Sequence, residues 1–174
     1  MTISSIVVRI PTPDDADPVG EAHASAWEEG YSALFAPEAL VEAAAARRSL
    51  WSSIFADSTF DFESMFVAEK GGEVVGFSHF GCNSESKSQG EVFGFYAHPR
   101  VWGTGVATAM MQATLAKLTY RSLRPVVVWT HAGAARARAF YEKSGFALTG
   151  RDRIETLFPM GLEAPEVEYS LSIL

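Results

Sequence analysis

Cysteine is nearly missing from this chain: Cys82 stands alone among 174 residues. A single thiol forms no internal disulfide and no multi-cysteine zinc site. With no motif around it, it reads as a small apolar side chain in a reducing compartment. Cations are scarce as well, with 14 Lys and Arg against 21 Asp and Glu, a formal net charge of -7. Holding a nucleic-acid backbone needs the opposite balance, so no nucleic-acid partner is expected. No apolar run approaches the ~20 residues that cross a bilayer. The opening MTISSIVVRIPTPDD has no basic stretch leading into an apolar core. Neither a membrane role nor a signal peptide is expected, which leaves the cytoplasm. No cluster of His, Cys, Asp and Glu has metal-ligand spacing, so no metal is expected.

What is present is ordinary for a globular protein: 48% hydrophobic and 20% charged residues, in a length that suits one domain over 1–174. ISSIVVRIP reads as a strand. Thr12 and Pro13, or Asp17 further on, open a helix that runs to about Gly30. A second helix opens at Pro37, with Leu40, Ala44, Arg47 and Trp51 on one inward face. MFVAEKGGEVVGFSHFG is two strands around Gly71 and Gly72. GEVFGFYAHP, apolar on both faces, suits a central strand. VATAMMQATLAKLTYRS is a helix, RPVVVWTH a buried strand, and AGAARARAFYEKSG a helix closed by Gly145. FALTGR and PEVEYSLSIL are closing strands, and DRIETLFPMGLEA between them reads as a long loop. The order gives one mixed α/β layered domain, with no repeat and no linker.

HPRVWGTGVATAM, residues 98–110, places Gly103 and Gly105 between a strand and a helix. The first N–H groups of a helix have no internal acceptor, and the helix dipole favours negative charge there. Glycines let an anion reach the backbone. A tight turn with no ligand explains two glycines equally well. The phosphate-binding pattern Gly-x-x-x-x-Gly-Lys-Ser/Thr fails because no Lys follows. The dinucleotide pattern Gly-x-Gly-x-x-Gly fails at Ala107 and Thr108.

The stretch resembles the acyl-CoA-binding segment of the GNAT superfamily of N-acetyltransferases, Arg/Gln-x-x-Gly-x-Gly/Ala. The preferred register is Trp102 to Ala107, with Trp where the pattern has Arg or Gln; Arg100 to Gly105 also matches. ARAFYEKSGF resembles the family's second signature. Trp27, Tyr31, Leu34, Phe35, Pro37, Leu40 and Arg47 resemble the two N-terminal helices of many bacterial members. The resemblance implies a GNAT-like fold, a mixed, mostly antiparallel twisted sheet of six to seven strands flanked by about four helices. It implies acetyl-CoA as cosubstrate. It places the cofactor on Trp102, Gly103, Thr104, Gly105, Val106, Ala107 and Thr108, on Tyr96 and Ala97 of a splayed strand, and on Ala134 and Ala137. Ala134 stands where the family often has Asn. Arg100, Arg136 and Arg138 are candidates for the 3′-phosphate. Trp27, Tyr31 and Phe35 would line the acceptor side.

The implied reaction moves an acetyl group to a primary amine of a small molecule or a peptide N-terminus by direct attack. It needs a base for the ammonium and an acid for the leaving thiolate. Tyr141 resembles the family's general acid; a phenol, with a pKa of about 10, keeps its proton at neutral pH. Glu91 is the candidate base, at the offset found in histone-acetylating members. Strict alternation puts it on one face with Phe93, Phe95 and Ala97. An exposed strand-end carboxylate is the plainer reading of the same residue. His79, His98 and His131 are rivals; His23 reads as a helix-face residue. A CoA-binding regulatory module without turnover remains the alternative, and a nucleotide-binding domain a third reading. A homodimer is compatible with either of the first two.

Overall fold

The structure, a computed structural model, describes residues 5–173. Ile3 and Ser4 of the expected first strand, and Leu174 of the last, lie outside the described residues. The chain runs β1 (Ile6–Arg9), α1 (Ala16–Gly30), α2 (Pro37–Ala56), β2 (Met65–Lys70), β3 (Glu73–Cys82), β4 (Gly90–Ala97), α3 (Val106–Tyr120), β5 (Val126–His131), α4 (Ala135–Lys143), β6 (Ala147–Leu157) and β7 (Leu162–Leu171). One seven-stranded sheet orders them β1-β2-β3-β4-β5-β7-β6. All pairs are antiparallel except β4 with β5. This is the expected α/β fold, with four α-helices on a mostly antiparallel sheet.

Helix α1 is entered through a 3-10 turn, Pro13–Asp15, so both starts read from the sequence merge into one. Arg9 at the end of β1 forks onto the Asp15 carboxylate at 2.7 and 2.9 Å, which ties the turn to the sheet. Helices α1 and α2 cover one sheet face. Val19, Trp51, Phe55, Met65, Val67 and Phe77 form the core there. A Cβ on Gly20 would lie 2.5 Å from the Arg48 carbonyl oxygen, so only glycine lets the two helices come this close. Helices α3 and α4 cover the opposite face, packing Met111, Leu118 and Tyr141 against Phe80, Val92, Val126, Val128 and Tyr169.

Strands β4 and β5 pair only from Gly90–Val92 to Val126–Val128, then part. From Phe93 to Ala97, β4 has no neighbour on its β5 side, and a cleft opens in the wedge. Across β3, Val92 faces Phe80 and Gly94 faces His79, so Phe93 is an extra residue on β4. One extra residue reverses the in-out alternation. Glu91 therefore stands on the α1/α2 face with Gly94 and Tyr96. Val92, Phe95 and Ala97 face α3. This corrects the grouping of Glu91 with Phe95 and Ala97; Phe93 stays on the Glu91 side, its ring against His79.

Two further expectations are corrected. The segment read as a long loop is strand: β6 and β7 form one hairpin that turns between Leu157 and Leu162. Cys82 is exposed at the end of β3, not a buried apolar side chain.

Candidate active site

Gly103 and Gly105 have φ of +76° and +90°, left-handed values that favour glycine. They turn the chain from the 3-10 segment Pro99–Val101 into α3. The first bond closed at this end of α3 runs from the Ala109 N–H to the Gly105 carbonyl at 3.0 Å. The N–H groups of Val106, Ala107 and Thr108 thus have no acceptor within the helix. They stand at the mouth of the β4/β5 wedge, where a cleft of about 790 Å³ is walled by the loop, β4, β5 and α4.

Most of the expected cofactor residues line this cleft: Tyr96 and Ala97, then Trp102, Gly103, Gly105, Ala107 and Thr108, and across the wedge Ala134 and Ala137. Thr104 and Val106 do not. The Thr104 hydroxyl donates to the Val101 carbonyl at 2.7 Å and holds the turn, and the Val106 side chain is fully buried in the core. Trp102 has two tasks within the chain. Its indole N–H donates to the Ala97 carbonyl at 2.8 Å, so that acceptor is already used. Its ring carries the Arg136 guanidinium 4.1 Å above the centroid. Of the three arginines considered for phosphate, only Arg136 borders the cleft. Arg100 pairs with Glu73, and Arg138 is held by the Tyr169 hydroxyl and the Ala132 carbonyl. Lys143 borders it too, a cation that sequence reasoning passed over.

Tyr141 lies in α4 with its ring buried against Phe140, Phe146 and Tyr169. Among the described residues its hydroxyl has no hydrogen-bond partner, and it borders the cleft. Tyr169 behaves differently: its hydroxyl donates to Glu142 at 2.7 Å and accepts from Arg138. Burial pushes the Tyr141 phenol well up, so it holds its proton throughout the working pH range.

Glu91 borders the same cleft and is half-buried. Desolvation raises its carboxyl above the ordinary range, against one hydrogen bond of 2.8 Å from Asn83 Nδ2 that favours the anion. The histidines compare poorly. Neutral imidazole has one basic lone pair. In His23, His98 and His131 the Nδ1 accepts from Trp51 Nε1, the Arg100 N–H and the Gly133 N–H respectively. His79 has no such bond but is pushed down by burial between Trp51, Phe60 and Phe93.

A second cavity of about 450 Å³ opens between α1, α2 and the β6–β7 hairpin, and takes in Trp27 and Tyr31. Phe35 borders neither cavity; it stacks on Trp27 and braces Tyr31. The two cavities share a wall that includes Tyr31, Tyr96, His131, Arg153 and Glu166. Glu166 was missed from the sequence because its segment offered no motif. It accepts from Arg153 at 2.7 and 2.8 Å. Among the described residues no group of three His, Cys, Asp or Glu could hold a metal. Among the same residues no helix is long and apolar enough to cross a membrane.

A family model described as the Acetyltransferase (GNAT) family matches residues 21–146, from α1 to the end of α4. The chain belongs to this family. The match takes in the splayed strand, the glycine loop and Tyr141. A "Probable N-acetyltransferase" of Mycobacterium tuberculosis is 24% identical over 172 residues, 98% of this chain and 96% of that one. Mycothiol acetyltransferase of Amycolatopsis mediterranei is 32% identical over 93 residues, half of this GNAT chain; the match spans only 31% of that longer protein. Among solved structures, the PaiA N-acetyltransferase of Thermoplasma acidophilum in complex with coenzyme A superposes with a TM-score of 0.73 at 14% identity, over 96% of this chain and 99% of that one. YncA of Salmonella typhimurium, solved with acetyl-CoA, gives 0.64 at 15% identity over 96% and 93%. These likenesses show the fold.

Proposed function

We propose that the protein transfers an acetyl group from acetyl-CoA to a primary amine by direct attack. The observation that carries this reading is Tyr141, its ring buried and its hydroxyl open to the cleft with no partner among the described residues, at a wedge whose mouth is lined by unpaired amides. Acetyl-CoA would supply an activated acetyl thioester. The loop's Gly103 and Gly105 and the N–H groups of Val106 to Thr108 suit its pyrophosphate, with Arg136 and Lys143 as nearby cations. The unpaired edge of β4 from Phe93 to Tyr96 suits the pantetheine arm, which would take the place of the missing strand.

Glu91 accepts a proton from the acceptor ammonium, directly or through a water, and frees the lone pair that attacks the acetyl carbon. A carboxyl raised by burial is a stronger base than a solvated one. As the carbon–sulfur bond breaks, Tyr141 gives its proton to the sulfur.

A thermal shift with acetyl-CoA, CoA, ATP and NAD tests the cleft. A ligand at 100 times its Kd adds about 2.7 kcal/mol, and only the two CoA species are expected to do so. Thiol release across an amine panel tests the reaction. Tyr141→Phe is expected to cut kcat about a hundredfold while CoA stabilisation persists. CoA stabilisation without thioester cleavage for any amine would replace this reading with a binding module.

A further inference from the structure

The second cavity contains a cation that the protein leaves incompletely met. Arg47 of α2 stacks its guanidinium 3.5 Å above the Trp27 ring. Its Nη1 donates to the Ala43 carbonyl at 3.0 Å and reaches the Phe158 carbonyl at 3.4 Å. Its Nε is shielded from water with no acceptor, and Nη2 has none among the described residues. No carboxylate among them lies within ion-pair distance of Arg47. Arginine does not escape burial by losing its proton, so a half-buried guanidinium without a counterion calls for an anion. Nη2 is the donor left open to the cavity, where one oxygen of a carboxylate meets it; Nε, walled off by the protein, only deepens the shortfall.

The rest of the cavity has the opposite sign. Glu166 and Glu155 both lean on the single cation Arg153, at 2.7 and 3.7 Å. That end therefore has one more carboxylate than cation; Arg153 and Glu166 stand where the cavity meets the cleft, and Glu155 lines the cavity alone. Between the two ends the walls are Trp27, Trp51, Ile54, Phe77 and Tyr96. The cavity is thus dipolar, positive on α2, negative on the β6–β7 hairpin and apolar between.

We infer that the acceptor amine also bears a carboxylate, as an α-amino acid with an apolar side chain does. The carboxylate would pair with Arg47, and the ammonium would lie at the shared wall beside Glu166. This rests on the acetyl-transfer reading and narrows it to a substrate class. A cavity of about 450 Å³ has room for such a molecule.

The test compares L-leucine and L-phenylalanine with their primary amides and with phenethylamine, by thiol release from acetyl-CoA at several pH values. The acids are expected to exceed the amides and the amine by about tenfold or more in kcat/KM. Arg47→Met is expected to erase that preference while leaving the amides within about twofold. Arg47→Lys restores charge without the planar group that stacks on Trp27 and is expected to recover only part of it. Equal turnover of acids and amides, or an equal loss for both in Arg47→Met, overturns the proposal. A thermal shift with the same compounds on the CoA-bound protein reads the seat without chemistry. There too the acids must stabilise more than the amides, and no difference overturns it. Acid-selective binding with no thiol release from any amine would sink acetyl transfer and leave the carboxylate seat standing. CoA stabilisation of each variant checks its fold, and the wild-type comparison stands even if a variant is lost.

Discussion

Glu91 is half out of water, and its charged form is the one that burial penalises. Its folded pKa lies above the ordinary 4.5 mainly through desolvation, with the Asn83 amide opposing. Two consequences separate a base from an incidental strand-end carboxylate. In the wild type the acid limb of kcat/KM falls above the ordinary carboxylate range, and Glu91→Gln removes that limb and lowers kcat about a hundredfold at an almost unchanged KM for acetyl-CoA. The stability effect has the opposite sign. A raised carboxyl pKa means that the folded chain binds the proton more tightly than the unfolded one. Stability then falls as pH rises from 4.5 through the folded value, and stays lower above it. Gln at this position, still able to accept from Asn83, is expected to unfold at a higher temperature than wild type at pH 7. The advantage should vanish below about pH 4.5 in a melting series. A kcat loss accompanied by a lower melting temperature at pH 7 would mark Glu91 as structural.

At the scale of the element, the glycine loop shows its conformation in its letters, because φ values of +76° and +90° leave few residue choices. A Cβ on Gly105 would touch only Ile6 Cδ1 at 3.7 Å, an ordinary contact. Gly105→Ala therefore costs stability through φ alone, about 1–2 kcal/mol. Relaxation of that angle would also turn the α3 amides away from the cleft. Isothermal titration is expected to show CoA affinity falling about tenfold, with kcat at saturation nearly kept. Strands reveal less. The extra residue on β4 depends on how β3 pairs with it, so strict alternation put Phe95 and Ala97 on the face of Glu91 in error. Strand β6 carries Arg151, Asp152, Arg153 and Glu155 in succession or near it and is exposed along most of its length. Charge on an edge strand protects against pairing with other chains, and it also erases the two-residue pattern by which strands are read. Arg153 disappeared into the supposed loop for that reason, while Glu166 stood in a strand that was read correctly but carried no motif. Tyr141 and the glycines were legible because their chemistry is local. The unmet edge of Arg47 was not, since only the folded neighbourhood shows which partners are absent.

Across the whole molecule, one buried histidine links the two N-terminal helices to the sheet. His23 on α1 accepts the Trp51 indole N–H of α2 at 3.1 Å, lies 4.4 Å from the Tyr96 ring of β4 and meets Phe77 of β3 edge-on at 5.3 Å. Desolvation, with Arg47 adding to it, pushes its pKa down to about 3. The unfolded chain takes up that proton near the ordinary value of 6.5, and the folded chain resists it. Stability tied to His23 is therefore complete above pH 6.5 and is lost as pH falls toward 3. The slope from this one group is at most about 1.4 kcal/mol per pH unit. His23→Gln keeps an acceptor for Trp51 and removes the titration. Urea unfolding at pH 7 and pH 5 is expected to show wild type losing more stability than His23→Gln over the interval, even if the variant is weaker at pH 7. Equal losses would mean that His23 protonates in place, and that the α1–α2 layer over the acceptor cavity opens to water well before the sheet unfolds.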